Sequence, residues 1–297
     1  MREITVMGWS LLLGLTVSTG EEIAFSRVDP KISIACPEVA EASGLAVSSR
    51  DGGFLWVVND SGAKPILHLV GSDGADRGKV AVEGAENVDW EDLSSFKLKG
   101  VPYLLIADTG DNNSSHDIST LYIVEEPKLP SAGDALNGGV KPAWMIRFRY
   151  EDGPRDCESV AVDQAAGKVI LVSKRTKPPV VYELPLKPDK DGIAIAKRIG
   201  LTSVEPPKGI PPLPYIAQPT GMDISDDGSM GAIVSYYGVF LFERKDKEGW
   251  GDAFAKPPIV LTPHGMSQAE SVAFAKDGKC ISVVSERGDR RIIRYER

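Results

Sequence analysis

Apolar and polar positions alternate with a period of two along most of this chain, and the alternating runs come in pairs. Five segments align: EASGLAVSSRDGGFLWVVNDSG from Glu41, WEDLSSFKLKGVPYLLIADTGD from Trp90, CESVAVDQAAGKVILVSKRT from Cys157, PTGMDISDDGSMGAIVSYYG from Pro219 and AESVAFAKDGKCISVVSERG from Ala269. Each is a short alternating run, a turn rich in Asp, Gly or Lys, and a β-branched run that ends in polar residues. Period two between turn formers predicts an antiparallel hairpin, because successive strand side chains face opposite sides. Third strands are predicted at 65–70, 120–124, 180–184, 239–243 and 291–295, and fourth strands at 79–82, 144–149, 193–199 and 258–261. No segment keeps a convincing helical period.

Four strands per repeat point to an all-β fold, a single β-propeller of five blades with four antiparallel strands each, because radial closure removes exposed sheet edges. The fifth repeat ends after its third strand, so a fourth is expected from the N-terminal segment, at 22–27 or 31–35, which would close the ring. Six blades are the fallback if residues 199–218 hide a further sheet. Against that stand Pro206, Pro207, Pro211, Pro212, Pro214 and Pro219, since proline cannot donate to a central ladder.

Composition narrows the function classes. The 297 residues are 42% hydrophobic and 26% charged, enough for a sizeable core. Lys and Arg number 34 against 42 acids, a net charge of −8, which argues against nucleic acid as a partner because a phosphate backbone needs a basic face. Residues 1–20 read as a signal peptide: Arg2, an apolar run from Val6 to Val17, then Ser18, Thr19 and Gly20. The run is short for a membrane span. The expected mature chain is therefore one exported domain, residues 21–297, periplasmic or extracellular, monomeric and without a membrane span. Cys36, Cys157 and Cys280 allow at most one internal disulfide, and buried thiols are the simpler reading.

The repeats also predict where chemistry collects. In an up-and-down sheet the start of strand one and the end of strand two meet on one face. Strand one starts at Glu41, Glu91, Glu158, Thr220 and Glu270; strand two ends at Asp60, Asp108, Lys174, Tyr236 and Glu286, with Arg175 and Arg287 following. Asp89, Asp92 and Asp156 flank the starts. Crowded carboxylates repel unless something compensates, and a hard cation with six to eight oxygen ligands suits a ring drawn from several blades. Glu41, Glu91, Glu158 and Glu270 are the candidate ligands, with calcium as the ion. Lys174, Arg175, Tyr236, Glu286 and Arg287 are the candidate ligand-binding residues, the basic ones suited to an anionic group. Asp60, Asp108, Glu158 and His264 are the candidate catalytic groups; His116 lies in a loop of the same face, and His68 reads as structural.

The stretches Glu41-Ala-Ser-Gly-Leu, Leu55-Trp-Val-Val-Asn-Asp-Ser-Gly, Asn87-Val-Asp-Trp-Glu-Asp-Leu and Ile106-Ala-Asp-Thr-Gly-Asp-Asn-Asn resemble those of exported bacterial β-propeller proteins that couple an ExSGL…NDSG blade to a DWED…GDxGNN blade. The match covers the first two repeats and departs at Asp111, where the pattern reads asparagine. The resemblance implies a propeller and export, and assigns no activity. More remotely, a carboxylate-lined channel is similar to those of calcium-dependent apyrases and propeller phytases, an analogy of fold. Two functions follow. The preferred one is a non-catalytic binding module whose central face takes a metal, a small anionic molecule, a glycan or a protein, with Trp90, Tyr236 and Tyr237 in support. The alternative is a calcium-supported hydrolase of a small anionic, phosphoester-type substrate, its mouth covered by residues 201–217.

Overall fold

A computed structural model describes residues 24–188, 192–211, 213, 215–288 and 290–297; the expected signal peptide, residues 1–20, lies outside them. Strand β1 (Ser26–Ser33) comes first. A first unit follows with β2 (Ala42–Val47), β3 (Phe54–Asn59), β4 (Ile66–Gly71) and β5 (Asp76–Val82). The second has β6 (Trp90–Leu98), β7 (Val101–Asp108) and β8 (Ser119–Glu125), then a short β9 (Gly139–Val140) and β10 (Pro142–Tyr150). The third has β11 (Ser159–Asp163), β12 (Lys168–Val172), β13 (Val180–Pro185) and β14 (Ile193–Leu201). The fourth has β15 (Pro219–Ile224), β16 (Met230–Ser235), β17 (Val239–Glu243), a helix α1 (Trp250–Phe254) and β18 (Ile259–Val260). The last has β19 (Ala269–Phe274), β20 (Cys280–Ser285) and β21 (Arg291–Glu296).

Together they make an all-β, propeller-like fold. Two sheets are four-stranded, with orders β15-β16-β17-β18 and β1-β21-β20-β19. β1 runs antiparallel to β21, from Ser26 opposite Glu296 to Ser33 opposite Arg291, and so takes part of each N-terminal segment expected to supply that strand. Strands β2, β6, β11, β15 and β19 each pack against the next, and β19 packs against β2, so the five form a closed cycle. Apolar clusters fill the spaces between neighbours: Leu67 with Trp90 and Leu104, Phe148 with Val160 and Tyr182, Val172 with Met222 and Phe240, Leu241 with Val272 and Ile293, and Val57 with Val284 and Ile292. Each sheet thus buries apolar residues on both faces, the reason alternation is weakest in the inner strands, such as fully buried β2.

Several features depart from four simple antiparallel strands per unit. β9 adds a fifth strand to the first sheet, parallel to β5. It can do so because Gly78, at φ +98°, has no Cβ; one there would stand 2.1 Å from the Leu136 carbonyl oxygen. β10 and β14 pair in parallel from Arg147 opposite Ile193 to Tyr150 opposite Ala196, joining the second and third units into one eight-stranded sheet. The fourth strand expected at 258–261 shrinks to Ile259–Val260. The unpredicted α1 packs beside it: Phe254 meets Phe242 edge-on at 4.9 Å and stacks with Trp250 at 5.0 Å. Five residues are too few to show a helical period. Residues 202–218 contain no strand among those described, so they supply no sixth sheet.

Two aspartates, Asp92 fully buried and Asp223 partly so, tie the inner strands together. Asp92 of β6 accepts from its neighbour Leu93 N (2.8 Å), from Val160 N of β11 (2.8 Å) and from Met222 N of β15 (3.1 Å). Asp223 of β15 accepts from Ile224 N (2.9 Å) and from Phe274 N of β19 (2.8 Å). The three cysteines are free thiols, and burial pushes Cys157 up to about 12, which makes it inert. No helix among the described residues is long and apolar enough to cross a membrane.

Candidate functional site

Backbone hydrogen bonds set the structural correspondence between units. Asp60 N bonds Glu41 O, Thr109 N bonds Asp89 O, Lys174 N bonds Asp156 O and Glu286 N bonds Gln268 O, at 2.9, 3.2, 2.9 and 2.7 Å. Glu41, Asp89, Asp156 and Gln268 are therefore equivalent, and two residues further on lie Ser43, Glu91, Glu158 and Glu270. The ladder skips Ser43, Glu91, Thr220 and Glu270, each lying at a register shift of its inner strand. A bulge frees one residue from pairing and re-aims its side chain. Ser43 uses this to bond Trp90 O (2.7 Å) and Thr220 to bond Ala269 O (2.7 Å), each to a neighbouring unit.

This correspondence corrects the position expected for Glu41. It is equivalent to Asp89 and Asp156 rather than to Glu91, and it sits half-buried in an ion pair with Arg287 at 3.1 Å. Asp108 is displaced too. It pairs with Trp90 in the ladder, one residue before Thr109, which is the true equivalent of Asp60. A slip of one residue reverses a side chain. Asp108 accordingly accepts from Asp89 N (2.7 Å) and lines a separate groove with Val88 and His116.

Glu91, Asp156 and Glu158 come together: they are 5, 2 and 5% exposed, and one oxygen from each lies within 4.8 Å of the others. A second group, Asp60, Asp89 and Glu91, meets the same criterion and shares Glu91. Asp156 accepts from Asp111 N (2.9 Å) and pairs with Arg175 Nε at 2.6 Å. Lys174 pairs with one oxygen of Glu158, and the other is buried without a hydrogen-bond partner. Glu270 accepts from the Tyr236 hydroxyl at 2.7 Å, and the Lys174 ammonium lies 5.7 Å from the Tyr236 ring. Glu286 accepts from Gln268 Nε2 (2.9 Å) and pairs with Arg287 at 3.3 Å. Every basic residue expected to hold an anion thus faces a carboxylate.

Two expected contributors lie elsewhere in their chemistry. His264 is fully buried; Met266 N donates to Nδ1 (3.0 Å), which leaves Nε2 to donate to Ser235 O (2.9 Å). Both nitrogens are used and burial lowers its pKa, so it is no proton shuttle. Trp90 is fully buried and donates Nε1 to Glu86 O at 2.9 Å, so it offers no surface to a glycan. Asp89 and Asp156, which sequence reading placed only as flanking acids, enter the cluster. Their signal is a repeated Asp-x-Glu, Asp89-Trp90-Glu91 and Asp156-Cys157-Glu158. Asp223 carries no such signal, because a single carboxylate outside that Asp-x-Glu repeat leaves no pattern.

Burial raises most of these acids. Asp89 is pushed up to about 6 by burial and by Asp60, Glu158 to about 7 by burial against the pull of Lys174, and Glu270 to about 8 by burial and by Glu158. Glu91 is raised well above the usual range by burial and Glu158, and Asp223 to about 7 by burial. From about pH 4 to pH 8 the folded chain therefore keeps protons that the unfolded chain has lost. Stability must then fall as pH rises, by about 1.4 kcal/mol per pH unit for each proton retained. In chelator, the melting temperature is expected to be higher at pH 5 than at pH 8; the reverse order would contradict this ionisation pattern.

No family model and no curated protein matches this chain. Among solved structures, it is similar to the PQQ-bound form of aldose sugar dehydrogenase from Streptomyces coelicolor, with a TM-score of 0.51 and 12% identity over 92% of this chain and 98% of that one. At that identity the likeness is one of fold, and it places this chain among propeller-like β structures.

Proposed function

We propose that the chain is a single five-bladed propeller, exported with loss of residues 1–20 and monomeric, that serves as a non-catalytic binding module. Its axial face holds a hard divalent cation, calcium being the candidate. The closed cycle of inner strands supports the blade count. The observation that carries the function is Glu91 with Asp156 and Glu158. Oxygens bound to calcium at 2.3–2.6 Å stand at most about 5 Å apart, and these three converge within 4.8 Å. Glu91 accepts no hydrogen bond and forms no ion pair among the described residues, though it is 5% exposed. A buried carboxylate left so is costly unless it is neutralised.

Around a bound ion, Tyr236, Glu286 and Arg287 would present a mixed polar surface to a small anionic molecule, a glycan or a protein. The hydrolase alternative has less support. It needs basic groups to hold an anionic substrate, and Lys174, Arg175 and Arg287 are engaged by Glu158, Asp156 and Glu41. Calcium added to the chelated chain is expected to raise the melting temperature by roughly 5 °C or more at 100 times its dissociation constant. Glu158→Gln should reduce that rise. No bound ion and no shift would refute the reading.

A further inference from the structure

The geometry points to a second cation on the same face, held by Asp60, Asp89 and Glu91, with Glu91 as the carboxylate shared between two ions and this second site the tighter one. The inference rests on the cation reading above. One oxygen from each of the three residues lies within 4.8 Å of the others, a spacing a single calcium can span. The independent observation is Glu91 itself, more than nine-tenths buried, unpartnered among the described residues, and converging with both groups. Gly110 hems the group in: a Cβ there would lie 2.4 Å from both Asp89 Oδ2 and Glu91 Oε1, so the two oxygens face one point on the backbone.

Charge decides which site is tighter. Glu158 already has Lys174 and Asp156 already has Arg175, so three carboxylates there meet two cationic side chains. Asp60, Asp89 and Glu91 form no ion pair among the described residues, and Lys174, already bonded to Glu158, reaches Glu91 only through space, so the same number of carboxylates meets less cationic charge. Ligand charge is a main determinant of calcium affinity. Asp60 and Asp89 are also half-exposed, which leaves room for water to complete the shell.

The test is calorimetric titration of the chelator-stripped chain with calcium, with bound calcium counted by elemental analysis. Two ions per chain are expected. Asp89→Asn should leave one and weaken the tight phase by more than the roughly 10- to 100-fold that loss of an outer-shell partner costs. Glu158→Gln should remove only the weaker phase, and Glu91→Gln should remove both. Melting in chelator shows whether each variant is folded, and Asp60→Asn replaces Asp89→Asn if that one is not. One ion per chain overturns the second site, and if Glu158→Gln and Glu91→Gln abolish it while Asp89→Asn does not, the single-cation reading stands. No ion overturns both.

Discussion

Asp92→Ala is expected to lower the stability of the folded chain by roughly 3 to 9 kcal/mol, the largest loss from any single side chain at the axis. Its carboxyl satisfies the amides of Leu93, Val160 and Met222 on three inner strands, with no exposure to solvent. Alanine would leave those amides buried without acceptors, and each such orphan costs about 1–3 kcal/mol. Set against the roughly 5–15 kcal/mol by which domains are stable, this brings the fold near its limit. Asp92→Asn should be much milder, because its amide oxygen can still serve Val160 and Met222. Denaturant midpoints for the two variants check the order. An alanine variant within about 1 kcal/mol of the parent would mean that the amides find water, and that the axis is wetter than the packing indicates.

Removing residues 24–33 should abolish cooperative folding altogether. β21 would keep β20 on one side and lose its antiparallel partner on the other, from Ser26 opposite Glu296 to Ser33 opposite Arg291. The cluster around Val272 and Ile293 would lose Phe25, and His264 O would lose the Arg27 guanidinium, which donates from Nε at 3.2 Å and from a terminal nitrogen at 2.8 Å. An unpaired edge then stands open, and exposed edges recruit other strands. Calorimetry should show no sharp transition, and size-exclusion chromatography should show self-association. A peptide of residues 24–33 added in trans should reverse both. A truncated chain that melts as a monomer within a few degrees of the parent would show that the ring does not depend on joining its ends.

Much of the architecture was legible because strand periodicity is a local property. The hairpins at Glu41, Trp90, Cys157, Pro219 and Ala269 appear where the alternation predicts them, and the third strands start and stop within two residues of expectation. The N-terminal partner of β21 was inferable from counting, since one repeat lacked a strand. Helix α1 was not legible, because Trp250 and Phe254 show their role only against Phe242, which arrives from another strand.

The site was legible in its residue types and less so in its register. Glu91 and Glu158 were found from repeat position, and their meeting follows from equivalent places on neighbouring inner strands. Glu41 and Asp108 were misplaced by alignments that cannot see which residue a ladder skips. Sequence spacing treats Glu41 and Glu91 as partners, whereas the backbone bonds pair Glu41 with Asp89 and Asp156. His264 shows the same limit: a loop histidine looks available until Met266 N and Ser235 O close on both its nitrogens.

By itself, then, the sequence determined the strands, their order and the collection of acids at one end of the inner strands, because alternation and repeat length act within a few residues. Tertiary structure alone decided which carboxylates face one another and which take a lysine or arginine. Those outcomes depend on bulges at Glu91 and Glu270 and on contacts between units far apart in the chain, where a shift of one residue turns a side chain from the axis to the opposite side.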